Sequence, residues 1–205
     1  MSPVEALDRL IVNEMQAGLG AAVIGRQITV LEQTDSTNDA ILRISTPNSE
    51  EGLVIFAEHQ TAGRGQRGNR WESTAGKGLW FSILLRPRID INNSPRLTAW
   101  AAEAISNVIR NEFFLKTTIK LPNDVQIDGR KVGGVLVEMR AQEKAPHLAI
   151  AGIGINVNQS LEDFPKKLRA RAISLAMALD RQVDRQKLAI ALLRNLDRSY
   201  RERFG

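Results

Sequence analysis

Two apolar runs, LVIFA at 53–57 and LWFSILL at 79–85, the second broken only by Ser82, constrain the fold more than any other feature of the chain. A strand with one solvated face alternates polar and apolar residues, whereas runs this continuous mark strands buried on both faces. Between them lies QTAGRGQRGNRWESTAGKGLW, residues 60–80, in which glycines and cations alternate more densely than a structural loop requires. Gly63, Gly65, Gly68, Gly76 and Gly78 let backbone N–H groups approach a ligand closely. Arg64, Arg67, Arg70 and Lys77 bring fixed positive charge, so the expected guest is an anion. Trp71 adds a π-face that suits a planar base, which favours a nucleotide over bare phosphate.

The rest of the chain supplies helices to cover such a sheet. Ser2, Pro3 and Glu5 form a capping-box start for a first helix running to about Met15, with Leu7, Leu10 and Ile11 at helical spacing and Gly18 and Gly20 ending it. Residues 28–31 read as a strand leading into DSTN at 35–38, four strong N-cap residues. A short helix from there carries Ala40, Ile41 and Ile44 inward, and 47–52 turns the chain. Ser94 and Pro95 open a long helix with Leu97, Ala101, Ala104, Ile105 and Val108 on one face. Residues 119–121, 125–127 and 132–139 read as strand, hairpin and strand, the Asp128-Gly129 pair supplying a type I′ turn. Another strand spans 147–157. From Leu161 onward the pattern is helical, ending in a helix from Asp184 with Leu188, Leu192 and Leu196 on one face. The class expected is α+β with a mixed sheet.

Composition excludes several alternatives. A chain of 205 residues is most simply one domain. Zero cysteines rule out disulfides and thiolate metal sites, and His59 and His147 are too few for a zinc centre. No run reaches the ~18 apolar residues of a membrane span, and Glu5 and Asp8 sit where a signal peptide needs basic and apolar residues. A cytoplasmic location is expected. The net charge of +5 permits nucleic-acid binding, yet much of it is spread over the C-terminal segment, Arg185 included, with acids interspersed. Gly63, Gly65 and Gly68 match G-x-G-x-x-G literally, but no helix opens at the last glycine and no acid follows at the required distance. Lys77 precedes a glycine, so a P-loop fails too.

Four motifs taken in order narrow the reading: DSTN (35–38), EHQTAGRGQRGNRW (58–71), KLPNDV with RKVGGVLVE (120–138) and GIGIN (152–156). Together they resemble the catalytic domain of biotin protein ligases. The resemblance implies a fold similar to class II aminoacyl-tRNA synthetases and biotin synthetases, a mixed sheet with helices packed on it. It implies activation of biotin by ATP, with Mg²⁺, to biotinyl-5′-AMP, then transfer of the biotinyl group to a lysine of a biotin carboxyl carrier protein, usually of acetyl-CoA carboxylase. Two other readings stand beside it: a biotin- or adenylate-binding module that does not transfer, and a lipoate-handling relative of the same fold. The whole chain, 1–205, reads as the catalytic domain. An N-terminal helix-turn-helix domain, and with it specific DNA binding, is not expected, nor is the small C-terminal β-barrel of relatives.

Residue by residue, the resemblance places Lys131 at the carboxyl and phosphate oxygens around the bond being made, where cations must neutralise developing charge. Arg64 is expected to hold both substrates, and Gln66, Arg67 and Arg70 to meet the phosphates. Ser36, Thr37 and Gln60 match the positions that hydrogen-bond the ureido head of biotin, Asn38 is expected among the biotin-binding residues, and Gly63, Gly65, Gly134 and Gly154, with Gly152, allow close backbone approach. Trp71 would stack on adenine while Asn123 and Asn156 read its edge. Asp124 orients the incoming lysine, accepts its proton or helps hold Mg²⁺. Two departures stand out: Gln66 where many relatives carry a basic residue, and Leu121 where tryptophan is common.

Overall fold

The computed structural model describes residues 8–46, 49–142 and 147–205. The helix start at Ser2, Pro3 and Glu5, with Leu7, lies outside them, as does part of the 47–52 turn. Seven strands form one sheet: β1 (Gln27–Thr34), β2 (Leu53–Gln60), β3 (Gly78–Leu85), β4 (Thr118–Lys120), β5 (Asp124–Ile127), β6 (Arg130–Arg140) and β7 (Leu148–Asn156). Their spatial order is β1-β2-β3-β7-β6-β5-β4. Among the described residues only the strands β1 and β2 pair in parallel; every other strand pair is antiparallel. The expected mixed sheet is therefore found, and β3, all eight residues buried, sits near its middle.

Alternation along each strand sends two different residue sets to the two faces. Val54 and Phe56, Phe81 and Ile83, Ile153 and Ile155, and Val135 face the main core. They pack against α3 (Ser94–Phe113) and α5 (Arg185–Phe204). On the opposite face Ile55, Leu84 and Ile150 meet Ala40 and Ile41 of the short helix α2 (Thr37–Ile44). Because α2 has only eight residues, it covers part of that face and leaves the rest open. Ile44, expected inward, is 55% exposed because it lies at the last position of α2, past the sheet.

The hairpin joining β5 and β6 turns at Asp128 and Gly129, both at positive φ (49° and 74°), as a type I′ turn requires. Val125 pairs with Gly133 and Gln126 with Lys131, so Val132 is an extra residue in β6, a β-bulge. The bulge reverses the alternation, which places Lys131 on the same face as Gly134 and Asp124.

Two helical expectations are corrected. The first helix, α1, spans Val12–Leu19 with Gly20 as its C-cap, so Leu10 and Ile11 precede it and Gly18 lies within it. Residues 161–173 form successive turns; only α4 (Leu175–Leu179) and α5 are helical beyond them. Here the backbone of Lys131 is paired with that of Arg171 and Ile173, and this tie replaces helical hydrogen bonds. Among the described residues no helix is long and apolar enough to cross a membrane.

Candidate active site

The open part of the sheet face is a cleft lined among others by Ser36, Thr37, Asn38, Gln60, Arg64 and Gly65. Trp71, Asn123, Lys131, Gly134, Gly152 and Gly154 complete the functional candidates in its wall. The GIGIN motif explains one side of it. Ile153 and Ile155 enter the core, so Gly152 and Gly154 face the cleft beside Gly134, with which Gly154 is in register.

The space above these glycines belongs to side chains of the protein itself. A Cβ on Gly154 would stand 2.6 Å from the Trp71 ring, and one on Gly152 would stand 2.3 Å from Asn38 Oδ1. Trp71 thus rests on Gly154 and Gly134, meets Trp80 edge-on at 6.0 Å, and lies 5.1 Å from Lys131 Nζ. The buried indole N–H groups of Trp71 and Trp80 find no partner among the described residues.

The glycine-rich loop is an ordered tongue. Trp71 N donates to Gly63 O and Gly65 N to Asn69 O, with a single turn at Gln66–Gly68 forming the tip. This geometry divides the predicted residues. Arg64, Gly65 and Trp71 at the base reach the cleft, whereas Gln66, Arg67 and Arg70 do not line it. Arg70 donates instead to Thr61 O at 3.1 Å. Gly63 is packed under Gln60 and Trp71. Asn156 is also outside the lining: its amide is buried and donates to Lys131 O and Ile173 O, fixing the strand that carries Lys131. Asn123 borders the cleft and donates to Val135 O. Leu121 is 80% exposed on the turn before it.

At the mouth of α2 the capping work is done by neighbours. Asp35 accepts from Ser36 N, and Gln60 Oε1 accepts from Thr37 N. Ser36 Oγ therefore makes no hydrogen bond to any described residue, although Ser36 is only 3% exposed and lines the cleft. Asp35 itself is held by Arg43, whose hydrogen bonds, followed by the Ser36 N–H, keep its carboxyl far below the usual carboxylate range.

A family model described as biotin/lipoate A/B protein ligase matches residues 30–156, well over half the chain. The chain belongs to that ligase family. It is 37% identical over 194 residues to the bifunctional ligase/repressor BirA of Bacillus subtilis, covering 95% of this chain and 60% of that one. It is 32% identical to the biotin–[acetyl-CoA-carboxylase] ligase of Mycobacterium tuberculosis, covering 87% and 66%. The biotin protein ligase of Aquifex aeolicus, solved with biotin and ATP, superposes with a TM-score of 0.74 at 29% identity over 87% of this chain and 73% of that one. The chain thus spans only 60% of the length of its Bacillus relative.

Within this ligase fold the lining residues are held by polar side chains to which the motifs gave no role. Ser82 Oγ lies 2.7 Å from Thr37 Oγ1 and 2.6 Å from Asn38 Oδ1. Gln60 Nε2 donates to Ser73 Oγ at 3.1 Å. Arg64 is gripped by Glu138 at 2.9 Å and Asp39 at 2.7 Å. Burial opposes its charge, but these two carboxylates and Asp35 outweigh it and raise its pKa. Ser82 could have been suspected as the one polar residue within an apolar strand run; Glu138 closes the RKVGGVLVE motif without a role read from it, and Asp39 carried no signal beyond being an acid beside DSTN. Lys131 Nζ contacts Asp124 Oδ1 at 2.6 Å. Among the described residues no group of three His, Cys, Asp or Glu side chains is arranged to hold a metal ion.

Proposed function

We propose that this chain condenses biotin with ATP to biotinyl-5′-AMP and passes the biotinyl group to a lysine of a biotin carboxyl carrier protein. One observation carries the reading: a cleft in which the Ser36 hydroxyl, on a residue only 3% exposed, is left uncommitted among Thr37, Asn38 and Gln60, with the cations Arg64 and Lys131 in the same wall. Buried polar groups must be hydrogen-bonded, and a cyclic urea supplies donors and an acceptor where the apolar dithiolane of lipoate supplies neither. That choice separates the two substrates named in the family's description. Support from the whole chain comes from the Aquifex relative bound to biotin and ATP.

In the proposed reaction a biotin carboxylate oxygen attacks the α-phosphorus, the new P–O bond forms as the bond to pyrophosphate breaks, and a lysine amine then displaces AMP. Lys131 brings the positive charge that two anions need in order to meet. Asp124, its partner in this structure, is released as phosphate oxygens replace it and becomes free to take a proton from the attacking amine. Magnesium arrives with ATP as part of that substrate; one carboxylate and phosphate oxygens are a sufficient donor set for it, and Asp124 fits that description. The absence of cysteines agrees with action in the reducing cytoplasm.

The test combines purified protein, MgATP, biotin or lipoate, and a carrier-domain acceptor, scored separately for pyrophosphate release and acceptor mass. Biotin-dependent pyrophosphate with a heavier acceptor supports the proposal. Pyrophosphate without acceptor modification indicates a module that does not transfer, and dependence on lipoate indicates the other substrate.

Trp71 is proposed to be a wall shared by both substrates rather than a platform for adenine alone, because its ring is wedged onto Gly134 and Gly154 beside Lys131. Trp71→Ala is accordingly expected to weaken biotin and ATP binding alike, each by roughly tenfold or more, about the value of one lost aromatic contact. Calorimetry with each ligand separately checks this. Loss confined to ATP would return the ring to the stacking role.

A further inference from the structure

Glu138 joins the two halves of the polar lining. Its Oε1 and Oε2 accept from Arg64 Nη1 and Nη2, each at 2.9 Å, and Oε2 also accepts from Asn38 Nδ2 at 2.6 Å. At the other end of the same amide, Asn38 Oδ1 accepts from Ser82 Oγ at 2.6 Å. An asparagine amide can be seated either way round, and its neighbours decide which. A carboxylate engaged by a guanidinium has no proton to give, so only the NH₂ end of Asn38 can face it. The carbonyl must then face Ser82 and the backbone of Gly152, where there is no room for a Cβ. Each end of the amide keeps one unused position, a second N–H and a second lone pair, and the side chain lines the cleft.

We infer that Glu138 is a positioning residue which, by orienting the Asn38 amide, sets the donor and acceptor pattern that the cleft offers to the ligand head group. The inference rests on the biotin reading above. Its consequence is discrimination between a cyclic urea and an isostere of opposite hydrogen-bonding polarity. A site built around buried polar groups rejects a mismatched partner because those groups are left unpaired.

The probes are biotin and 2-iminobiotin, in which a nitrogen replaces the ureido oxygen, titrated against the intact chain and its variants. In Glu138→Gln the new amide accepts or donates equally well, Asn38 is free to invert, and the preference for biotin is expected to fall about tenfold, the effect of one lost buried hydrogen bond. Asp39→Asn loosens Arg64, which it contacts at 2.7 Å, without touching Asn38, and is expected to keep the ratio. The exchanged pair Asn38→Asp with Glu138→Gln restores a carboxylate–amide hydrogen bond with its direction reversed. It is expected to fold as the parent does and to shift preference toward 2-iminobiotin further than Asn38→Asp alone, an excess over simple charge attraction that a purely structural role of Glu138 does not produce. An unchanged ratio in Glu138→Gln and in the exchanged pair overturns the inference, as does an equal fall in Asp39→Asn, which would assign the effect to Arg64. If the parent chain binds no biotin, the biotin reading itself fails and this inference fails with it, a result distinct from an unchanged ratio.

Discussion

Lys131→Ala is expected to slow acyl-adenylate formation by about 100-fold or more, roughly 2.7 kcal/mol of transition-state stabilisation. The size follows from where the hairpin puts the ammonium group. The bulge at Val132 turns Lys131 onto the cleft face, the Arg171 and Ile173 backbones clamp its own N–H and C=O, and Asn156 donates to the same carbonyl. A lysine held at its backbone in three places places its charge without the reorganisation a free side chain would need. Its ammonium meets Asp124 Oδ1 at 2.6 Å, so the site does not present an unpaired cation before ATP arrives. Single-turnover measurement of adenylate formation at saturating biotin and ATP isolates the step, and Lys131→Arg tests whether charge alone is sufficient. A rate for Lys131→Ala within about threefold of the parent, under ~0.7 kcal/mol, would make the residue a surface lysine of the hairpin.

How much of this was legible beforehand differs from motif to motif. The central strands could be read because nearly continuous apolar runs have few other uses, and the type I′ turn because Asp-Gly adopts positive φ at low cost. Lys131 was reached only through the resemblance; by spacing it is an exposed hairpin lysine, since a bulge that changes its face leaves no mark in residue type. The glycines of GIGIN, expected to let a ligand approach, do line the cleft, and they also make room for Trp71 and Asn38; a missing side chain shows where space is needed and not what fills it. Arg67 and Arg70 share the residue type of Arg64 but not its place, since the tongue leaves them, and Gln66 with them, outside the cleft lining. The turns over 161–173 read as helix because apolar residues there, Phe164 and Ile173 among them, are buried without a helix to carry them, and Ile173 is tied by its backbone to Lys131 of the sheet.

Arg185 is the residue that composition misjudged most. Among the C-terminal charges it resembles a solvated helix cation, yet it is 2% exposed at the first position of α5. Its guanidinium pairs with Glu58 at 2.7 Å and with Asp8 at 3.0 Å, and donates to Gly78 O at 3.1 Å and to Asp8 O. Arg185→Leu is expected to lower the thermal midpoint by about 10 °C. Removing one member of a buried ion pair costs roughly 3–5 kcal/mol, and each kcal/mol moves the midpoint by about 2–4 °C in a chain of this size. The cost comes mainly from Glu58, left charged and largely buried with no cation to replace Arg185. Pairing the change with Glu58→Gln is therefore expected to recover part of the loss, so that the two effects are less than additive. The same group also bears on the site. Glu58 and Gly78 stand where the glycine-rich loop leaves β2 and enters β3, and Glu58 O accepts from Gly76 N. Ligand affinity measured well below the midpoint should consequently fall in Arg185→Leu and return toward the parent value in the double variant. A midpoint shift under about 2 °C would place the ion triad with ordinary surface pairs, worth under ~1 kcal/mol, and would leave the root of the loop to its backbone hydrogen bonds alone.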